Sequence, residues 1–169
     1  YDFALKSFQI VFEKHPNDPL ADNAGYQIAR VYLDNLNDYD NGYKTLNSLV
    51  NNYPDSDYGI RSREEIKQFP NWLFTTAETK RNAKDINGSI KTLDYLVNKF
   101  PSHEIAPKAQ YLIGDIYMND QRNFDLAIAS YRKIINDFSG SKQEPHAQFM
   151  IGYIYANILD DSENAQVEY

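Results

Sequence analysis

Cysteine is missing from all 169 residues, which removes disulfide frameworks, thiolate zinc sites and cysteine nucleophiles together. Tryptophan occurs once, and glycine and proline seven times each, too few of the last two for a collagen-like or low-complexity chain. Apolar runs are only a few residues long, far from the roughly 20 needed to cross a bilayer, so no direct membrane insertion by this segment is expected. Positive charge is in deficit: 17 Lys+Arg face 24 Asp+Glu, a net −7. Such a surface repels phosphate backbones. The densest basic stretch, Lys80 to Lys84, is closed by Asp85 and reads as a helix end at the negative pole of its dipole. Nucleic acid is therefore not expected as a partner. Also lacking is a glycine-rich phosphate loop. His15, His103 and His146 fall in loops or at helix starts of different segments, with no spacing that fits a metal. Adjacent acids such as Glu64-Glu65 and Asp160-Asp161 diverge around a helix rather than converge on a substrate. No nucleophile stands beside a base. The reading is non-enzymatic, without catalytic residues, metal or cofactor. The chain opens on Tyr1 rather than methionine, so it reads as a segment of a longer protein.

What is present is repetition. Tyr1-Asp2-Phe3-Ala4-Leu5, Tyr39-Asp40-Asn41-Gly42-Tyr43, Ile86-Asn87-Gly88-Ser89-Ile90 and Phe124-Asp125-Leu126-Ala127-Ile128 begin equivalent stretches, their first residues spaced 38, 47 and 38 apart. A fifth copy starts at Ser162-Glu163-Asn164-Ala165. Between them a second segment recurs: Ala24 to Tyr32, Ala109 to Tyr117 and Ala147 to Tyr155. Both segment types place apolar residues at i, i+3, i+4 and i+7, the helical period. Each unit is therefore a helix, a short turn, a second helix and a proline-containing loop, stacked on the next unit. Pro16, Pro54 and Pro101 follow the second helix, where proline cannot continue it. Asp2, Asp40, Asn87 and Asp125 sit at N-cap or first-turn positions. Asn87-Gly88-Ser89 also satisfies a glycosylation sequon, relevant only in a eukaryotic secretory pathway.

Small residues recur in register: Ala29, Gly114 and Gly152 on the first helix, and Ala4, Gly42, Ser89, Ala127 and Ala165 on the second. They let antiparallel helices approach, with Tyr32, Tyr117 and Tyr155 wedged beside them. This small-residue, tyrosine, small-residue, aromatic, proline pattern, seen at Gly114, Tyr117, Ala127, Tyr131 and Pro101, resembles the tetratricopeptide repeat. The resemblance implies an all-α, right-handed solenoid of antiparallel helix pairs. The 38-residue period exceeds the family's usual length of about 34. Its long loop, Pro101 to Ala106, resembles the bacterial envelope subgroup, which includes the Tol-Pal-associated cell-division coordinator and the lipoprotein of the outer-membrane β-barrel assembly machine. That likeness implies a periplasmic or outer-membrane-anchored setting; a cytoplasmic one stays open.

The segments divide as a single array: residues 1–18 (second helix of a truncated repeat), 19–57, an irregular long repeat 58–104, 105–142, and a truncated repeat 143–169. In the irregular repeat Thr76 and Thr79 stand where Gly and Tyr are expected. Pro70 disfavours helical geometry at Phe69, so a long first helix, kinked or broken there, is expected. Trp72-Leu73-Phe74 cannot all face one stripe, and burial of this segment is the favoured reading over an outward contact by Trp72.

The resemblance implies a groove lined by first helices. Carried over residue by residue, its candidates are Tyr26, Arg30, Leu33 and Asp34, then Lys108, Tyr111, Asp115, Met118 and Asn119, then Phe149, Tyr153 and Asn157. The recurring aromatics Tyr26, Tyr111 and Phe149 either anchor a peptide or pack between neighbouring first helices, the second reading carrying slightly more weight. The lysine/asparagine clamp for chaperone tails is missing. The expected function is a protein-interaction scaffold in an envelope process such as division coordination or outer-membrane assembly, its partner a protein or peptide. The alternative is a structural or self-associating (end-to-end) segment of a larger multidomain protein, without a dedicated groove.

Overall fold

A computed structural model describes residues 1–168; Tyr169, the end of the last truncated repeat, lies outside them. Among the described residues the chain is all-helical, without strands. The helices are α1 (Asp2–Lys14), α2 (Ala21–Arg30), α3 (Tyr39–Asn52), α4 (Asp57–Asn82), α5 (Ile86–Lys99), α6 (Ala106–Asp115), α7 (Phe124–Asp137), α8 (Glu144–Asn157) and α9 (Ser162–Glu168). π-helical turns prolong α2 over Val31–Leu36 and α6 over Ile116–Asp120. Consecutive helices pack on one another, α1 on α2 on α3 and α5 on α6 on α7 on α8 on α9. This is the architecture of a tetratricopeptide-type helical solenoid, with α2, α4, α6 and α8 as first helices and the others as second helices.

Two units divide between Phe69 and Pro70. In residues 1–69, Ile28, Leu33, Leu46, Leu49 and Phe69 are buried, and the Tyr43 ring lies 4.9 Å from that of Phe69. From residue 70 on, Leu73, Leu93, Leu96, Ile113 and Ile116 are buried. They are joined by a cluster of Ala127, Tyr131, Ile134, Ala147, Ile151 and Ile154. These positions follow the helical stripe, each large side chain contributing roughly 1.5–3 kcal/mol on burial. Leu5 is the one buried residue of α1, while Phe3 is 85% exposed.

Local chemistry explains where each helix stops. The turn that follows each of the four first helices ends in a residue with left-handed backbone, Asn37, Lys84, Arg122 or Asp160. The next residue caps the second helix. Asp38, Asp85, Asn123 and Asp161 accept from the backbone N–H three residues on, at 3.1, 2.9, 3.1 and 3.1 Å. The cap therefore lies two residues before Asp40, Asn87 and Asp125, which occupy the first turn. Second helices close with the N–H of His15, Tyr53, Phe100 and Phe138 bonded to the carbonyl four residues back. Pro16, Pro54 or Pro101 follows in three of them.

The long helix α4 runs from Asp57 to Asn82 with Pro70 inside it, a single helix rather than two. Its end shows why the repeat pattern is hard to find there. The caps Asp38 and Asn123 donate to the carbonyls six residues back, of Tyr32 and Tyr117, whereas Asp85 donates to Lys80, five back. Lacking the extra residue of a π turn, α4 shifts its register by one. The small position is Ala77, fully buried, instead of Thr76. The Ser89 hydroxyl donates to the Ala77 carbonyl at 2.7 Å, so the sequon serine is buried in a helix contact. Leu73 and Phe74 are buried and Trp72 is half-buried.

Candidate functional site

First-helix side chains were the candidates for recognition, and the structure sorts them by environment. In residues 1–69 they are engaged internally. Tyr26 is 4% exposed, its ring 5.1 Å from that of Tyr58 on α4. Its hydroxyl donates to Glu65 Oε1 at 2.5 Å. Burial, and after it the Glu65 hydrogen bond, push the phenol up to about 12. The Arg61 guanidinium lies over the same ring, 4.8 Å from its centre. Arg30 grips Asp34 through two bonds, Nε at 2.9 Å and NH2 at 2.5 Å, and reaches Glu65 at 3.3 Å. Partly exposed pairs of this kind contribute little individually, about 0–1 kcal/mol. Leu33 is buried where a Cβ on Gly42 would overlap it. Here the aromatic packs between first helices, and Leu33 belongs to the core.

From residue 70 on the arrangement differs. Tyr111 is half-buried, its ring 5.2 Å from that of Tyr131. The buried Tyr131 hydroxyl donates to Asp115 Oδ1 at 2.7 Å. Burial holds the Asp115 carboxyl above its ordinary 3.8, Asp120 adding to the effect, while the Tyr131 bond and Arg81 oppose it. Arg81 on α4 is bound to Asp120, Nε at 2.7 Å. Met118 packs against the α7–α8 core, and Lys108 places its ammonium 4.6 Å from the centre of the Phe74 ring. Asn119 and Asn157 are exposed. Phe149 is 55% and Tyr153 38% exposed, and these two rings stack along α8 with centres 6.4 Å apart.

An open cleft of about 340 Å³ separates the first helices α4 and α6, lined by Thr75, Glu78, Thr79, Arg81, Asn82 and Leu112. All but Leu112 come from the irregular repeat, where register slippage hid them from residue-by-residue alignment. A larger opening of about 840 Å³ lies between the C-terminal ends of α1 and α3, beside Phe12, Pro16, Asn52 and Tyr53, away from any first helix. Among the described residues no group of three or more His, Asp or Glu gathers as a metal site. No described helix is long and apolar enough to cross a membrane.

A family model described as the tetratricopeptide repeat matches residues 23–56 and 108–141. The first match spans α2 and α3, the second α6 and α7. The match supports the family that the hallmark residues resemble. Such repeats generally mediate protein–protein interaction and are typically non-catalytic, which supports a scaffold role and protein partners. No match was found among curated proteins.

Proposed function

We propose that this chain holds a partner peptide or domain against its first helices, within a bacterial envelope process such as division coordination or outer-membrane assembly. The observation that carries the binding reading is the cleft between α4 and α6. The Thr75 and Thr79 hydroxyls spend their protons on the carbonyls four residues back, at 3.1 and 2.9 Å. Their oxygens keep acceptor capacity for a ligand N–H. Glu78, Arg81 and Asn82 add polar partners, and Leu112 an apolar floor, the mixture that orients a peptide in a groove. The envelope setting, periplasmic or outer-membrane-anchored, is supported by the long Pro101 to Ala106 loop alone.

Photocrosslinking tests the site: benzoylphenylalanine in place of Leu112 should give a discrete partner adduct in the native cell, and the same residue in place of exposed Lys91 should not. Equal labelling from both positions, or none from Leu112, would remove the cleft as a binding site. Mass spectrometry of the N-terminal peptide of the full-length protein tests the compartment. A lipidated cysteine or a cleaved leader is expected; a simple cytoplasmic N-terminus would overturn the envelope reading.

The exposure of Phe3 at 85% and Ile10 at 50% on α1 favours self-association as a second reading. Sedimentation should then show concentration-dependent oligomers that Phe3→Glu disperses, and a strict monomer would dismiss it.

A further inference from the structure

The polar groups of the α4–α6 cleft are unevenly matched. Thr75, Glu78, Thr79 and Asn82 follow one another at i, i+3, i+4 and i+7, so α4 offers them to the cleft as one stripe, and Leu112 of α6 lines it as well. The stripe is rich in acceptors. Both threonine protons are already donated to backbone carbonyls, which leaves these oxygens able only to accept. Glu78 is exposed, and among the described residues it makes no hydrogen bond or ion pair. An ionised carboxylate likewise only accepts.

Positive charge beside the cleft is engaged elsewhere. Arg81, the base in the lining, gives Nε and Nη2 to Asp120 Oδ2 at 2.7 and 2.6 Å. The two side chains are only 26% and 20% exposed, so their charges cancel at short range. Lys80 turns its ammonium to the Thr92 hydroxyl on α5 at 3.2 Å. Lys108, one turn before Leu112, holds its own over the Phe74 ring. Lys84 lies past the end of α4, in the turn before α5. The lining therefore keeps one uncompensated charge, that of Glu78, on a chain whose net charge is already −7.

We infer that the α4–α6 cleft selects an arginine side chain from an extended, basic segment of a partner protein, its guanidinium pairing with Glu78. The inference rests on the reading of this cleft as a peptide site and names what enters it. Size favours a side chain over a helix: about 340 Å³ corresponds to a cube of about 7 Å, narrower than the roughly 10 Å of a helix. Arginine matches the walls in two ways. Its apolar stem can lie along Leu112. Its planar fork gives two parallel bonds to a carboxylate and has N–H groups left for the Thr75 and Thr79 oxygens. An acidic side chain would instead meet Glu78 and oxygens without protons to give, and would find Arg81 already bound.

Amide NMR spectra of the intact chain, titrated with a blocked pentapeptide of four alanines around a central arginine, test the inference. Citrulline in place of the arginine keeps the shape and removes the charge, and glutamate reverses it. Resonances of residues 75–82 and of Leu112 should move, and the arginine peptide should bind about fivefold more tightly than the citrulline one, the scale of a partly screened charge-assisted pair. Glu78→Gln should erase that ratio. Asp137→Asn, which removes an equal charge from the exposed end of α7, should leave it unchanged. Asp120→Asn should lower it, because the freed Arg81 lies three residues from Glu78 on the same helix and competes with the guest. Equal affinity for the arginine and citrulline peptides, a preference for the glutamate peptide, or no shifts at all overturns the inference. So does movement of the same resonances on dilution without peptide, which would assign the cleft to a second copy. Where both neutral and basic peptides move residues 75–82 equally, or the Leu112 adduct forms although no peptide binds, the cleft stands as a binding site and only its choice of a cation falls.

Discussion

Gly114 faces the Tyr131 ring so closely that a Cβ there would overlap it. A mid-helix glycine costs up to about 1 kcal/mol relative to alanine, and the approach of α6 to α7 offsets that. Gly114→Ala should therefore destabilise by about 1–3 kcal/mol through overpacking; an unchanged or raised urea midpoint would show that the ring can give way. Asp115 beside it makes a pH prediction. Burial, with Asp120, raises its carboxyl above the ordinary 3.8, so the folded chain holds this proton more tightly than the unfolded one. That contribution is complete below the unfolded value and is lost as pH rises through the folded one. Asp115→Asn keeps a carbonyl for the Tyr131 hydroxyl and carries no charge. Melting temperatures measured upward from about pH 4 should shift progressively in favour of the Asn variant and then level off. A difference that is flat with pH would mean that Asp115 titrates as it does in the unfolded chain.

Each helical hairpin turns on a pair of adjacent residues, one left-handed and one capping. The left-handed member is never glycine here, although side chains disfavour that backbone by about 1–2 kcal/mol. Arg122, with φ 55°, is exposed, so Arg122→Gly should stabilise by about 1 kcal/mol, less the entropy that glycine adds to the unfolded chain. Asn123→Ala removes the bond to the Leu126 N–H and should cost about 1 kcal/mol. Thermal melts of the two variants should move in opposite directions; movement in the same direction would mean that the turn is not held by these two terms. The element most difficult to read from sequence was α4. Its apolar positions predicted a long helix, but the Thr76 alignment was off by one, because α2 and α6 end in a π turn and α4 does not. A single inserted residue changes no composition and leaves helical periodicity intact upstream, so only the hydrogen bonds at the end of the helix reveal it.

At the scale of the whole chain, repeat proteins tie each helix mainly to its sequence neighbours, so stability need not be uniform along them. The division at Phe69 and Pro70 marks where such a boundary should fall. Leu49 is fully buried in the first unit, and Leu49→Ala should cost about 2–5 kcal/mol there. Native-state hydrogen exchange should then speed up in α1 to α3 well before α6 and α7. Equal acceleration in all of them would show one cooperative block instead.

The amino-acid sequence by itself determined the helices, their pairing and the stripe each buries, because these follow from local periodicity, from small residues in register and from prolines that end helices. It also determined the charge imbalance that leaves residues 143–169 without Lys or Arg. Tertiary structure alone decided which of the equivalent first-helix aromatics are spent. Tyr26 is closed over by Tyr58, Arg61 and Glu65, Tyr111 is half-buried against Tyr131, and Phe149 stacks on Tyr153 while 55% exposed. All three occupy the same position in the repeat. For Tyr26 and Tyr111 the difference arises from which side chains the neighbouring helix brings within reach, which local periodicity does not encode.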